Sequence, residues 1–205
     1  MARVDPDRIA ANLAEVREEV GPDVRVLAAV KYVGAEELGA LVEGGVRLAG
    51  ENRAQDLEIK TAAFPQLEWH FIGHMQSRKV KQVLPLVTLI HSVASDSALE
   101  QLGRHGTDDT EVLIEVNVAR EEGKSGVDPD GLDAFLERCP VRVVGLMTMP
   151  PAARDPEDSR RWFSALRELA AARGLRELSM GTSQDYAVAA QEGATIVRIG
   201  SRILH

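Results

Sequence analysis

The sequence has 205 residues and a single cysteine, Cys139. One thiol cannot form an intramolecular disulfide, and metal sites built from several cysteines are excluded. A reducing, cytoplasmic compartment is therefore expected.

Long uncharged apolar runs are also missing. No segment approaches the roughly 18 to 20 residues that a membrane-spanning helix needs. The first 20 residues carry five acidic side chains where a secretory signal would have an apolar centre. We therefore expect a protein without an export signal and without a membrane anchor.

The sequence has fewer basic than acidic residues: 24 Lys and Arg and 32 Asp and Glu give a net charge of −8. This balance argues against general binding of nucleic acid or of anionic membranes. It leaves room for a local basic pocket.

What the sequence does contain is a regular alternation of short apolar runs with helical periodicity. A helix is predicted over 5–20, with Asp5 as its N-cap and Pro6 in its first turn. Eight strands are predicted at 24–30, 47–52, 68–73, 89–93, 111–118, 141–148, 177–181 and 196–200. Helices are predicted between them at 35–44, 53–63, 76–84, 96–105, 129–138, 157–173 and 184–193.

This alternation predicts an α/β protein with parallel strands. Eight units most naturally close into a (β/α)8 TIM barrel, here with an extra N-terminal helix, and residues 1–205 fit one domain. A doubly wound open sheet is the alternative. Its dinucleotide-binding version is disfavoured because no G-x-G-x-x-G follows the first strand.

In such a barrel the functional residues lie where the strands end. The first strand ends at Lys31, whose stem we expect to pack against Val30 and Tyr32. Partial desolvation of such an amine favours Schiff-base chemistry, although a surface lysine is the simpler interpretation. Polar residues at the other strand ends are expected around the same opening: Glu51, Asn52, His74, His91, Ser92, Asn117 and Thr148.

The last two units predict a phosphate site. SMGTSQD follows the seventh strand and RIGS ends the eighth, which brings Gly181, Ser183, Gly200 and Ser201 to the loops that often bind phosphate in these barrels. Alternatively, Ser183 caps the helix predicted from 184, and the two roles are compatible.

Arg198 interrupts the apolar eighth strand, where a buried guanidinium needs an acceptor. It either pairs with a protein group or faces a ligand. A Schiff-base lysine, an arginine and a phosphate site together suggest a ligand with an aldehyde, a ring acceptor and a phosphate. No metal site is predicted, since His70 and His74 flank a strand end and lack the H-E-x-x-H glutamate.

Eight segments resemble, in order, the YggS/PROSC family of pyridoxal phosphate homeostasis proteins. They are AAVKY, GENRAQ, WHFIGHMQSRK, IHSV, VNVAREEGKSG, GLMTMPP, LSMGTSQD and VRIGS. The resemblance implies an alanine racemase N-terminal-domain-like barrel that binds pyridoxal 5′-phosphate (PLP). It assigns the covalent aldimine to Lys31 and further contacts to Asn52, Ser183, Gly200 and Ser201, with Arg198 facing the pyridine nitrogen.

The resemblance also implies a role in vitamin B6 and amino-acid homeostasis without efficient catalysis, with no catalytic residue assigned. Transient contact with PLP-dependent apoenzymes and a monomeric state are further expectations. A small amino-acid racemase using Lys31 and Tyr32 is the alternative, which is disfavoured because the 205 residues leave no room for the second domain of a racemase. A barrel that binds a sugar phosphate instead of PLP is the third possibility.

Overall fold

The computed structural model describes residues 5–204, which form a closed barrel of eight parallel strands in the order β1 to β8. The strands are β1 Arg25–Ala29, β2 Leu48–Glu51, β3 Glu68–Phe71, β4 Leu89–Val93, β5 Glu111–Glu115, β6 Arg142–Met147, β7 Glu177–Thr182 and β8 Ile196–Ile199. All eight predicted strands are present, so the barrel prediction is confirmed and the open-sheet alternative is wrong.

Helices lie between the strands on the outside of the barrel. They are α1 Pro6–Val20, α2 Leu38–Glu43, α3 Ala54–Ala63, α4 Val80–Val83, α5 Asp96–His105, α6 Leu132–Glu137, α7 Arg160–Ala171, α8 Tyr186–Gln191 and α9 Ser201–Leu204. Short 3₁₀ turns occupy Ala35–Glu37, Ser77–Lys79, Leu84–Leu86, Pro129–Gly131 and Pro156–Ser159. Among residues 5–204, no helix combines the length and apolar character of a membrane span.

The extra N-terminal helix is confirmed. The Asp5 carboxylate accepts a hydrogen bond from the Asp7 amide at 3.1 Å, which satisfies one of the free N–H groups of the first turn. Gly21, with φ of 84°, ends the helix. Ile9, Leu13 and the other buried apolar residues of α1 pack on α2, α8 and α9.

Two predicted elements differ clearly from the structure, and one short helix was not predicted. The fifth strand ends at Glu115, and Val116 instead forms an isolated parallel bridge with Val127 from the following loop. The helix predicted at 76–84 is mostly two 3₁₀ turns around a short α-helix, and Pro85 lies in the second turn. The helix α9 was not predicted, because four residues carry no periodicity.

Two apolar clusters hold the barrel together. The larger one lies between the strands and the helices and includes Phe163, Leu166 and Val197. The smaller one fills the barrel interior with Leu27, Leu48, Leu89, Leu113, Met147 and Ile196. Among residues 5–204, side chains thus fill the interior of the barrel and leave no channel through it. A ligand must therefore bind at one end.

Candidate functional site

A cavity of about 1020 Å³ opens at the carboxyl ends of the strands. We call it the mouth. All six residues assigned to a ligand from the sequence line it: Lys31, Asn52, Ser183, Arg198, Gly200 and Ser201. They come from four separate parts of the chain, and the barrel closure between β1 and β8 brings the first and the last of them together.

Lys31 follows the end of β1 and reaches into the mouth from its rim. Val30 is buried, whereas Lys31 and Tyr32 are exposed. The Lys31 amine lies 4.8 Å from the centre of the Tyr32 ring. The predicted contact with Tyr32 is therefore present, but the predicted desolvation of Lys31 is wrong, because its side chain is exposed.

A buried ion pair lies next to the residue that precedes this lysine. The Lys60 amine pairs with the Glu51 carboxylate and also donates to the Val30 carbonyl at 2.8 Å. The other Glu51 oxygen accepts from the amides of Asn52 at 2.6 Å and Arg53 at 3.1 Å. The pair thus joins the end of β1 to the end of β2, and sequence analysis did not predict it.

Asn52 presents an unused acceptor. Its Oδ1 is buried and has no hydrogen-bond partner among residues 5–204, although the residue lines the mouth. Buried polar atoms are satisfied in the great majority of cases, so an orphaned acceptor at a cavity indicates a place for a ligand donor.

The loops after β7 and β8 meet at the Ser183 hydroxyl. Its oxygen accepts from the amides of Gly200 at 3.1 Å and Arg202 at 3.4 Å. The capping alternative for Ser183 is wrong, because Asp185 precedes α8 and its carboxylate accepts from the Thr182 amide at 2.7 Å. Two backbone N–H groups therefore point toward one place at the rim, where the Ser183 oxygen satisfies both of them.

Gly181 and Gly200, the two glycines of this region, are subject to different constraints. Gly181 has φ of 90°, and a Cβ there would lie 2.5 Å from the Ala189 Cβ, so the fold itself requires glycine. Among residues 5–204, and apart from its two chain neighbours, the nearest atom to a Cβ at Gly200 would be the Ala29 carbonyl oxygen at 3.6 Å, and its φ is not in the left-handed region. Neither packing nor backbone conformation therefore explains why a glycine stands at position 200.

Arg198 is 6% exposed and lies at the base of the mouth. Its guanidinium donates to the Ser179 hydroxyl at 2.5 Å, to the Thr148 carbonyl at 2.9 Å and to the Met149 sulfur at 2.8 Å. Burial lowers the pKa of Arg198 to about 10, which still leaves it cationic at neutral pH. Protein acceptors satisfy Arg198, as the first alternative stated, and the residue also lines the cavity. A contact between Arg198 and a ligand stays a prediction.

The other polar strand ends divide into two groups. His74 and Ser92 line the mouth as expected. Glu51, His91, Asn117 and Thr148 do not line it, which corrects the prediction for these four. Asn117 bonds to its own loop through Glu121, at 2.9 and 3.1 Å, the ordinary structural role of such a residue.

Glu115 and Met149 line the mouth without having been predicted. Burial raises the pKa of the Glu115 carboxyl, and Ser125 donates to it at 3.0 Å. Glu115 lies inside an apolar predicted strand, and this placement could have marked it as a candidate for the mouth. Met149 gave no comparable signal.

Comparison with known proteins identifies the family. The model of the alanine racemase N-terminal domain matches residues 4–204. A pyridoxal phosphate homeostasis protein of Aquifex aeolicus is 42% identical over 192 residues, covering 86% of this chain and 84% of the relative. The chain belongs to the pyridoxal phosphate homeostasis protein family. This is the YggS/PROSC resemblance predicted from the sequence.

Solved structures of this family share the barrel. PipY of Synechococcus elongatus without PLP is 32% identical, with a TM-score of 0.88 over 96% of this chain and all of PipY. PipY with PLP bound is 30% identical, with a TM-score of 0.85 over the same shares of the two chains. The alanine racemase of Corynebacterium glutamicum is 18% identical, with a TM-score of 0.80 over 98% of this chain and 62% of the racemase, which shows likeness of fold alone. The curated relatives of this family are named as homeostasis proteins and not as racemases, in agreement with the non-enzyme prediction.

Proposed function

We propose that this protein binds PLP in the mouth and supplies or buffers it in vitamin B6 and amino-acid homeostasis, without efficient catalysis of its own. The convergence of the six predicted ligand residues on one cavity carries the proposal. The homeostasis names of the relatives and the PLP-bound form of PipY support it.

The donors and acceptors of the mouth fit PLP on three independent points. The Asn52 Oδ1 is an unused buried acceptor. Two amides converge at the Ser183 oxygen, and Gly200 leaves open space beside them. Lys31 is an accessible primary amine on the rim of the same cavity. Ser183, Gly200 and Ser201 would hold the phosphate, and Asn52 would contact the ring.

Lys31 is the proposed covalent attachment point. Its Nζ would condense with the aldehyde of PLP, so that a C=N bond forms and water is released. When bound, PLP supplies an electron sink for carbanion chemistry. Arg198, placed at the pyridine nitrogen as the family resemblance implies, would disfavour a proton there and so restrain that chemistry.

The racemase alternative needs a second acid or base on the face of the ligand opposite Lys31. The Tyr32 ring lies next to the Lys31 amine, 4.8 Å from its centre, and this adjacency argues against Tyr32 as the group on the opposite face. A single domain over residues 1–205, a monomeric state, a cytoplasmic location and transient contact with apoenzymes stay predictions.

Replacing the lysine tests the proposal. We expect Lys31→Ala to lose the visible absorbance of the PLP complex and the adduct trapped by borohydride, measured by mass spectrometry of the digested protein. Lys81→Ala, which changes an exposed lysine outside the mouth, is the matched control and should keep both. An adduct that persists in Lys31→Ala would disprove the covalent assignment.

Two further measurements separate the competing functions. Rapid exchange of the Cα proton of single-enantiomer amino acids in heavy water, catalysed by the PLP-loaded protein, would contradict the non-catalytic role. A protein that stays colourless after incubation with PLP would favour the sugar-phosphate alternative.

A further inference from the structure

Three polar side chains lie inside the barrel, beneath Arg198, where apolar residues are usual. They are Ser179 on β7, His91 on β4 and His70 on β3, with exposures of 0%, 0% and 1%. The apolar cluster of Leu27, Leu48, Leu89, Leu113, Met147 and Ile196 fills the same interior. Polar groups in such surroundings must be hydrogen-bonded to be tolerated.

They form one continuous row of hydrogen bonds, which we call the interior chain. Arg198 Nη1 lies 2.5 Å from Ser179 Oγ, and the same oxygen lies 2.8 Å from His91 Nδ1. His91 Nε2 lies 2.9 Å from His70 Nδ1, and His70 Nε2 lies 2.9 Å from Glu68 Oε1. The interior chain therefore runs from the base of the mouth to the amino-terminal end of the barrel.

Its two ends set the direction of every bond. A guanidinium only donates, so Ser179 must accept from Arg198, and the Ser179 hydroxyl proton is available for His91 Nδ1. A carboxylate only accepts, so His70 Nε2 must donate to Glu68. The hydrogen bond from His70 lowers the pKa of Glu68, which keeps that group ionised at neutral pH. The bond between the rings then runs from His91 Nε2–H to His70 Nδ1.

The opposite direction fails at Glu68. If His91 donated from Nδ1, its Nε2 would accept from His70 Nδ1–H, and neutral His70 would turn a lone pair toward the Glu68 carboxylate at 2.9 Å. Charging a ring is disfavoured too, because burial lowers the pKa of His70 and lowers that of His91 well below its usual value. One arrangement satisfies all five groups: two neutral histidines, each protonated on Nε2.

We infer that Ser179, His91 and His70 are positioning residues, which hold the Arg198 guanidinium in the mouth through this single directed chain. The Ser179 oxygen is kept as an acceptor toward Arg198 because its proton is committed to His91. His91 is held in the required tautomer by His70, and His70 by Glu68. This inference rests on the proposed function only where it concerns PLP, whose ring nitrogen Arg198 would face.

Nitrogen NMR of the ligand-free protein tests the direction of the interior chain. Two-bond ¹H–¹⁵N correlations distinguish the two tautomers of each histidine, and single substitution of each histidine assigns the signals. We expect His70 and His91 to be neutral and protonated on Nε2 at pH 7. An Nδ1–H tautomer or an imidazolium at either position would overturn the inference.

Removing the hydroxyl tests the effect on the mouth. We expect Ser179→Ala to weaken PLP binding about tenfold, the loss of one hydrogen bond to a charged group. The absorbance maximum of the complex should shift, since the guanidinium loses an acceptor, and the ring of His91 should populate both tautomers. Ser159→Ala is the matched control, because this buried hydroxyl has no partner among residues 5–204 and lies outside the mouth.

If Ser179→Ala binds PLP with the same affinity and the same absorbance spectrum as Ser159→Ala, the positioning role is overturned. If the unmodified protein does not bind PLP, the proposed function fails. The tautomers measured without ligand then still decide whether the interior chain holds Arg198 as inferred.

Discussion

The two ends of the barrel differ in how their charged and polar groups are paired. The amino-terminal end, which we call the floor, carries Arg25, Glu68, Glu111, Arg142 and Glu177. Its charges pair with one another: Arg25 lies 3.1 Å from Glu177 and 3.6 Å from Glu68, and Arg142 lies 2.7 Å from Glu111. The mouth instead holds an accessible amine, a buried guanidinium and an unused amide oxygen.

This difference separates residues that stabilise the barrel from residues available to a ligand. Floor groups neutralise each other in contact with solvent, so each pair contributes little to stability. In the mouth, Arg198 is held by Ser179 and the Thr148 carbonyl and still lines the cavity, whereas Asn52 Oδ1 has no partner among residues 5–204. Sites for ligands commonly sacrifice some stability in this way. Three substitutions test the comparison.

The largest effect is expected at the buried pair beneath the mouth. Lys60→Met should lower the free energy of unfolding by about 3 to 5 kcal/mol, because it leaves the Glu51 carboxylate buried without its cation. Urea denaturation measures this loss. Adding Glu51→Gln to Lys60→Met should recover part of it, since the amide oxygen can still accept from Asn52 and Arg53. A loss below about 1 kcal/mol in Lys60→Met would contradict the proposed importance of the pair.

An intermediate effect is expected at Asn52, with opposite signs for stability and binding. Asn52→Leu removes an unsatisfied buried acceptor, so the ligand-free protein should keep its stability or gain up to about 1 kcal/mol. Binding of PLP, followed by absorbance titration, should weaken about tenfold. Ser159→Ala also removes an orphaned buried oxygen, and it should leave PLP binding unchanged. A destabilised Asn52→Leu protein with normal affinity would assign Asn52 to the fold and not to the site.

The smallest effect is expected on the floor. Arg142→Gln breaks a pair whose side chains are 68% and 35% exposed, so the free energy of unfolding should change by less than about 1 kcal/mol. Affinity for PLP should stay the same, because the floor lies at the opposite end of a packed interior. A tenfold change in affinity would remove the distinction between the two ends.

Most of the barrel was predictable because strand and helix periodicities alternate so regularly. The mouth was predictable at Lys31 and Ser183 because strand ends of a parallel barrel share one face. Arg198 stood out because a guanidinium in an apolar strand needs a partner. The partner itself, Ser179, was not predicted, because the sequence does not show which residues lie next to a strand serine inside the barrel.

The burial of Lys60 was also not predictable from the sequence. It lies in the helix predicted at 53–63, where a lysine is ordinarily a surface residue. Only the packing of α3 against β2 buries it at 4% exposure and brings its amine to Glu51 and to the Val30 carbonyl. The exposure of Lys31 was also mispredicted, because burial depends on neighbours distant in sequence.

By itself, the sequence determined the order of the elements, the parallel barrel, the family and the six residues that meet at one end, because local periodicity and ordered motifs are properties of the chain. The tertiary structure alone decided which polar groups are satisfied and by whom. The interior chain from Arg198 to Glu68 joins four strands, and its direction follows from donors and acceptors that only the closed barrel brings within hydrogen-bond distance.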